Sequence, residues 1–342
     1  MSKFAIAAVG AGILLTALPT LSQAADIVFS GYGGALRDAE EKAWFEPFMA
    51  ANPDVKILYE AGPSPAKLIA QVETGNVTWD LVHVGVNFGF GESDKYLTKI
   101  DCSIVECANL QPDKFVTTGY RVPHLVGAVV LTWNKDLFPG DKAPKNWADF
   151  FDLKKFPGKR IMMGNLQSFP LEAALAGDGV TPDKLYPMDV DRALAKLDTI
   201  KSELTLTTNY PRCVEAVASG DAVMGHCWNG RVYSAIENGA PLAYTWNGSI
   251  NAAGYLVIPK GAPNADAAMK LLAYMTSTEH NAEVAKYITY GPANIKAVPN
   301  IAENVRADIN SSNLDDTAIF SGDQWYADNP DVQQRFLDWQ SR

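Results

Sequence analysis

Seven consecutive uncharged residues, Val126-Gly127-Ala128-Val129-Val130-Leu131-Thr132, stand where one run of strand–helix alternation stops and a second begins. Before them, short apolar strands at 27–29, 55–59 and 81–84 alternate with helical spacing at 37–51 and 65–74. After them the pattern resumes, with helices at 147–151, 191–201, 211–219 and 231–238 and strands at 160–163, 204–207 and 222–226. A second apolar run, Tyr255-Leu256-Val257-Ile258, precedes helices at 265–275 and 279–287, and a final helix lies at 330–339. Strands and helices that alternate through short turns fold as parallel sheets covered by helices. The chain has 342 residues, more than one hydrophobic core of about 250–300 residues holds. Yet no Pro/Ser-rich linker divides it. Two α/β lobes joined by extended crossings, with 126–132 and 255–258 as crossing strands, satisfy both facts, and such a molecule closes like a hinge.

Residues 1–24 read differently. Lys3 is their only charge, 4–18 is small and apolar, Pro19 breaks the run, and Ser22-Gln23-Ala24 puts small residues three before and one before a cut. This is the pattern of a secretory signal peptide cleaved after Ala24. Its apolar core is short for a membrane span of about 20 residues. A second uncharged stretch, 238–259, carries Gly, Pro and Asn throughout and reads as loops and short strands. The expectation is an exported, periplasmic protein. Its net charge of −10 lacks the basic footprint of a nucleic-acid binder. Four cysteines suit an oxidising compartment. Cys102 and Cys107 would clip a small loop, whereas Cys213 and Cys227 either bridge or remain two buried thiols. There is no CxxC, and the four histidines are scattered, so no zinc pattern emerges.

The stretch Ser219-Gly220-Asp221-Ala222-Val223-Met224-Gly225-His226-Cys227-Trp228-Asn229-Gly230 resembles the helix–strand–turn pattern of extracellular solute-binding proteins that serve ABC importers of the spermidine/putrescine type. Trp79-Asp80-Leu81-Val82, Tyr120-Arg121-Val122-Pro123-His124, Asn134-Lys135-Asp136 followed by Trp147-Ala148-Asp149-Phe150, Tyr255-Leu256-Val257-Ile258-Pro259 and Tyr290-Gly291-Pro292-Ala293-Asn294 resemble further pieces of that family, in the same order. The resemblance implies a two-lobed periplasmic binding protein fold of type II-like α/β architecture, each lobe a mainly parallel sheet flanked by helices. It places lobe 1 at 25–131 plus 254–300 and lobe 2 at 132–253 plus 301–342. It implies a monomer that holds a small solute between the lobes, hands it to permease subunits in the inner membrane, and needs no cofactor or metal.

Polyamine binders of the family hold ammonium chains with aromatic faces and carboxylates. The resemblance carries the aromatic part onto Tyr32, Trp228, Tyr290 and either Trp325 or Tyr326, with Asn87 and Ser168 as further contacts. The acidic part is missing. Gly164-Asn165-Leu166-Gln167-Ser168-Phe169 has no acid where the family places two, and Gly254 stands where it places an Asp, with Ala252 close by. Each ammonium of a long polyamine would then be buried without a partner. Three ligand types fit better: a single amine, a zwitterion or an anion. Arg231 could meet a carboxylate, and the turns at Gly33-Gly34 and Asn229-Gly230 offer free N–H groups at helix starts. Asp323 is the candidate partner for an ammonium.

Two rival classes carry less. An exported hydrolase would show a GxSxG elbow, which the sequence lacks, and Gly31-Tyr32-Gly33-Gly34 is neither GxGxxG nor a P-loop. A ferric-iron or other anion or metal carrier of the same fold would show adjacent tyrosines, and no Tyr-Tyr pair occurs. The chain therefore reads as a binding protein, not an enzyme.

Overall fold

The computed structural model describes residues 25–86, 88–110, 119–309 and 316–342. The leader expected at 1–24 and the candidate Asn87 lie outside the described residues. Strand β1 (Ala25–Gly31) is followed by helix α1 (Ala35–Glu40), a π-helical turn (Glu41–Phe45), helix α2 (Glu46–Ala51), strand β2 (Val55–Ala61), helix α3 (Pro65–Thr74) and strand β3 (Leu81–Val84). β1 pairs in parallel with both β2 and β3. Where a kink was expected at Pro47, the helical run carries the π turn Glu41–Phe45 just before it, and Pro47 is the second residue of α2.

Strand β4 (Val122–Asn134) is buried along its whole length. After it come α4 (Trp147–Phe151), β5 (Arg160–Met163), α5 (Pro170–Gly177), α6 (Val190–Asp198), β6 (Leu204–Thr207), α7 (Tyr210–Ala218), β7 (Met224–Trp228) and α8 (Asn229–Glu237). β5 pairs in parallel with β6 and β7, repeating the arrangement of the first half. The chain then returns through β8 (Leu242–Val257) to α9 (Ala265–Thr276), β9 (Gly291–Pro292), α10 (Glu303–Arg306), β10 (Ile319–Phe320), α11 (Asp323–Asp328) and α12 (Asp331–Gln340).

The strand order β2-β1-β3-β8-β4-β7-β5-β6 explains how two lobes arise without a linker. β4 and β8 run antiparallel from Val122↔Leu256 to Asn134↔Leu242. The end of β8 pairs with β3, at Val82↔Val257, while the far half of β4 pairs with β7, at Val129↔Trp228. These two long strands therefore belong to both α/β halves, and the molecule is two-lobed around them.

β8 is longer than its sequence suggests. Its Gly and Asn residues, read as loops, are held by a bond within the strand and by partners distant in the chain. Asn251 is fully buried, its amide donating to the carbonyls of Ser249 and Ile319, and the Trp147 indole donates to the Gly248 carbonyl. The strand expected at 222–226 starts two residues later, because the backbone N–H groups of Ala222 and Val223 are taken by the carbonyls of Ala216 and Lys159. The helix expected at 279–287 is a 3₁₀ turn at Asn281–Lys286, pinned where the Asn281 amide donates to the carbonyls of Met275 and His124.

Both cysteine pairs are bridged, Cys102–Cys107 with Cα atoms 5.5 Å apart and Cys213–Cys227 at 5.9 Å. The second joins α7 to β7 beneath the second lobe. For a closed loop of roughly 15 residues the lost chain entropy of the unfolded state is worth about 3 kcal/mol. Cys213→Ser with Cys227→Ser should therefore lower the urea midpoint by that equivalent. An unchanged midpoint, or free thiols in the non-reduced protein by mass spectrometry, would contradict the bridge.

Candidate functional site

A cavity of ≈ 570 Å³, counting its mouth, opens where the lobes and the two shared strands meet. The first lobe contributes Tyr32 from the turn after β1, Leu36 from α1, and the end of β3 from His83 to Val86. The second contributes Gln167, Tyr210 at the start of α7, Trp228 at the end of β7 and Arg231 on α8. Ala252, Ala253 and Gly254 of β8 form one side, and Tyr290 closes the wall.

The Trp228-Asn229-Gly230 turn shows why the chain folds this way locally. Trp228 is held over the cavity by its indole N–H, which donates to Ser168 Oγ at 3.2 Å. Asn229 is fully buried; its Oδ1 accepts from the Ala128 N–H at 2.9 Å and its amide donates to the Thr289 carbonyl at 2.7 Å. One side chain thus ties the turn to β4 and to the segment that carries Tyr290. At Gly230 a Cβ would lie 2.6 Å from Tyr290 Cε1, so glycine is what lets the Tyr290 ring sit against Trp228 at 6.4 Å between centroids. Tyr32 meets Tyr210 edge-on at 5.4 Å. Burial raises the hydroxyl pKa of Tyr32, Tyr210 and Tyr290, the last to about 12, so all three are neutral donors at pH 7.

Arg231 is 7% exposed. Its Nη2 donates to the Gly33 carbonyl at 2.9 Å across the cleft, and its guanidinium lies 5.3 Å from the Tyr210 ring. Gly34 has φ 71°, and a Cβ there would come within 2.9 Å of Arg231 Nη1. Among the described residues no carboxylate lies within ion-pairing distance of Arg231, and no Asp or Glu lines the cavity. The segments that lack the family's acids do reach the cavity: Gln167, from the acid-free stretch 164–169, and Gly254 both line it, as does Ala252, where the family places an aromatic residue.

Of the residues expected from sequence, Tyr32, Trp228, Arg231 and Tyr290 come together here, and Ser168 supports Trp228. Two do not. Asp323 is buried elsewhere, accepting from Arg121 at 3.2 Å, from Ser321 Oγ at 2.6 Å and from the Tyr255 hydroxyl, so its carboxylate is fully committed and does not face a ligand. Trp325 packs against Tyr186 and Tyr326 and does not line the cavity. Sequence reasoning missed Tyr210, His83 and Gln167. His83 had a signal: it is the polar residue in the otherwise apolar strand Leu81–Val84, all of it buried.

Behind His83 lie Glu40 and His124, and the three side chains have donor atoms within 4.8 Å of one another. His83 Nε2 and Glu40 Oε1 are 2.7 Å apart, a hydrogen bond. Ligands held at about 2.0–2.1 Å around a tetrahedral metal sit roughly 3.3 Å from each other, so this spacing is that of a proton, not an ion.

Residues 43–313 match the family described as bacterial extracellular solute-binding protein. The chain is 30% identical over 335 residues to the gamma-aminobutyric acid-binding protein of Pseudomonas aeruginosa, covering 94% of this chain and 92% of that one. It is 24% identical over 288 residues to the spermidine/putrescine-binding periplasmic protein of Salmonella typhimurium, 81% of each chain. The solved structure of a GABA receptor superposes with a TM-score of 0.83 and 36% identity, over 92% of this chain and 97% of that one.

Proposed function

The chain belongs to the bacterial extracellular solute-binding protein family, and from that premise we propose that it captures a short zwitterionic amine, such as 4-aminobutyrate, and presents it in the periplasm to the permease subunits of an ABC importer. Proteins of this family bind a small solute and deliver it to a transporter; they are not enzymes. The lobes are taken as 25–131 plus 254–300 and 132–253 plus 301–342, the leader as 1–24, and the working unit as a monomer. The observation that carries the ligand class is the buried Arg231 guanidinium facing a cavity whose described lining holds no carboxylate. A buried cation without an anion favours a ligand that brings one. The aromatic faces of Trp228, Tyr32 and Tyr290 suit the ammonium at the other end. The relatives named for gamma-aminobutyric acid support this choice over a polyamine.

Calorimetry on one sample with 4-aminobutyrate, butyrate, putrescine and spermidine tests it. The zwitterion should bind tightest. Each additional ammonium would lose water and find no carboxylate, so spermidine should bind weakest. Trp228→Ala should weaken 4-aminobutyrate by about 1–3 kcal/mol, through lost apolar burial and cation–π contact. Tight spermidine binding with no response to 4-aminobutyrate would overturn the reading.

A further inference from the structure

Three residues of the cavity wall face a second space. Tyr32, Gln167 and Tyr210 line the cavity and also line an outer groove between the lobes, together with Gly62, Pro63, Asn165, Thr208 and Asn209. They are the partition between the two. Tyr32, in the turn after β1, meets Tyr210, at the start of α7, edge-on at 5.4 Å. The Tyr59 hydroxyl donates to the Tyr32 carbonyl at 2.8 Å and fixes that turn. Gln167 completes the partition from the second lobe. Its side chain reaches Gly85, the residue after β3. A Cβ at Gly85 would lie 2.6 Å from Gln167 Cδ, 2.7 Å from Cγ and 2.8 Å from Nε2, so Gln167 occupies the space that any side chain at 85 would take. Gly85 is not among the glycines with positive φ. What the glycine provides there is a seat for Gln167, not a special backbone conformation.

The turn that carries Gln167 is held from several sides. It is a 3₁₀ turn, Leu166–Ser168, in which the Ser168 N–H donates to the Asn165 carbonyl at 3.2 Å and Ser168 Oγ donates to Asn165 Oδ1 at 3.1 Å. The same Oγ accepts from the Trp228 indole. Phe169, fully buried, follows with φ 64°, a conformation that a non-glycine residue keeps only where its surroundings fix it. The backbone of Gln167 is therefore set by contacts that do not involve its own side chain. Shortening that side chain leaves the turn and the Trp228 contact in place.

Resting on the zwitterion reading, we infer that Gln167 sets the length of ligand the cavity accepts. Seated on Gly85, it closes the wall beside the Tyr32–Tyr210 pair, and an ω-amino acid longer than 4-aminobutyrate must displace it. Extra methylenes in a closed, filled site force side chains off their rotamers or hold the lobes apart. With Ala at 167, Cγ, Cδ and the amide are gone and the cavity runs into the groove. No Asp, Glu, Lys or Arg lines the groove among the described residues, and Gly34, Gly62, Thr208 and Asn209 on its walls are exposed. A charged ligand end that emerges there keeps its water instead of being buried without a partner.

The test is calorimetry with 4-aminobutyrate, 5-aminopentanoate and 6-aminohexanoate on the wild-type protein and on Gln167→Ala. Wild-type affinity should fall along the series, with 6-aminohexanoate at least roughly tenfold weaker than 4-aminobutyrate. Gln167→Ala should bind 6-aminohexanoate more tightly than the wild type does, an absolute gain that general damage to the cavity cannot produce. Trp228→Ala should weaken the whole series and keep its order. Gly85→Ala puts a Cβ into the seat and should weaken 4-aminobutyrate binding. The same change made in the Gln167→Ala protein should cost little, because the three atoms nearest that Cβ all belong to Gln167. A wild-type series that does not fall with length, or a Gln167→Ala series with the wild-type order and spacing, would overturn the inference while leaving the zwitterion reading intact. So would a Gly85→Ala loss that is as large without Gln167 as with it. No heat with any member of the series would remove the functional reading and this inference together.

Discussion

Arg231→Gln should weaken 4-aminobutyrate binding by at least roughly 30-fold, because truncating one partner of a buried charge pair costs about 2–5 kcal/mol. The loss is large because the ligand carboxylate would enter a site with no other cation among the described lining residues and would keep most of its desolvation penalty. Arg231 does a second thing that must be separated from the first. It donates to the Gly33 carbonyl, joining α8 to the turn after β1 across the cleft. A variant could therefore weaken binding by loosening closure alone. n-Butylamine, which has the same chain and no carboxylate, distinguishes the two. If Arg231 pairs the carboxylate, its removal should leave n-butylamine binding within a few-fold of wild type while 4-aminobutyrate collapses. If both ligands lose equally, the residue acts through closure. Arg231→Lys should fall between, since an ammonium keeps the charge but not the planar fork that meets a carboxylate with two parallel bonds.

The parts of the site that sequence made legible are those carried by short local motifs. Trp228-Asn229-Gly230 could be placed because three adjacent residues have three separate jobs: facing the cavity, stitching two strands, and making room for Tyr290. The absent acids were legible for the same reason, since the stretch 164–169 and Gly254 have recognisable neighbours, and Gln167 and Gly254 reach the cavity. The fold was legible where hydrophobic period and turn chemistry agree, as in α3 (Pro65–Thr74), β5 (Arg160–Met163) and β6 (Leu204–Thr207), which begin and end where the sequence places them. It was not legible in β8, where a polar, glycine-containing strand is satisfied from elsewhere in the chain by Trp147 and Ile319. The Glu40–His83–His124 cluster failed for the same reason. Its members lie far apart in the sequence, Glu40 and His83 by 43 residues, and meet only when α1, β3 and β4 pack.

Asp323 is the clearest case of a residue whose chemistry was read correctly and whose partner was not, and its substitution should produce the largest loss of stability. The sequence offers an isolated acid beside aromatics, which suits an ammonium. In the structure the cation is Arg121, fully buried, with Nη1 donating to the carbonyls of Val86 at 2.8 Å and Phe88 at 3.0 Å and Nη2 to Asp323 at 3.2 Å. The guanidinium lies 3.8 Å from the Tyr255 ring centroid and 4.2 Å from that of Phe90. Arg121 therefore holds the loop after β3, which ends in the cavity at Val86, against β8 and α11. Asp323→Ala leaves that charge buried without its carboxylate and strips an acceptor from the Tyr255 and Ser321 hydroxyls, for which about 3–5 kcal/mol is expected. The urea midpoint should fall accordingly. Ligand affinity of the folded protein should change much less, because Asp323 does not line the cavity. Arg121→Met combined with Asp323→Leu should recover part of the loss, since removing both charges also removes the unpaired one. An Asp323→Ala protein with wild-type stability but no amine binding would restore the carboxylate to the ligand and refute its assignment to Arg121.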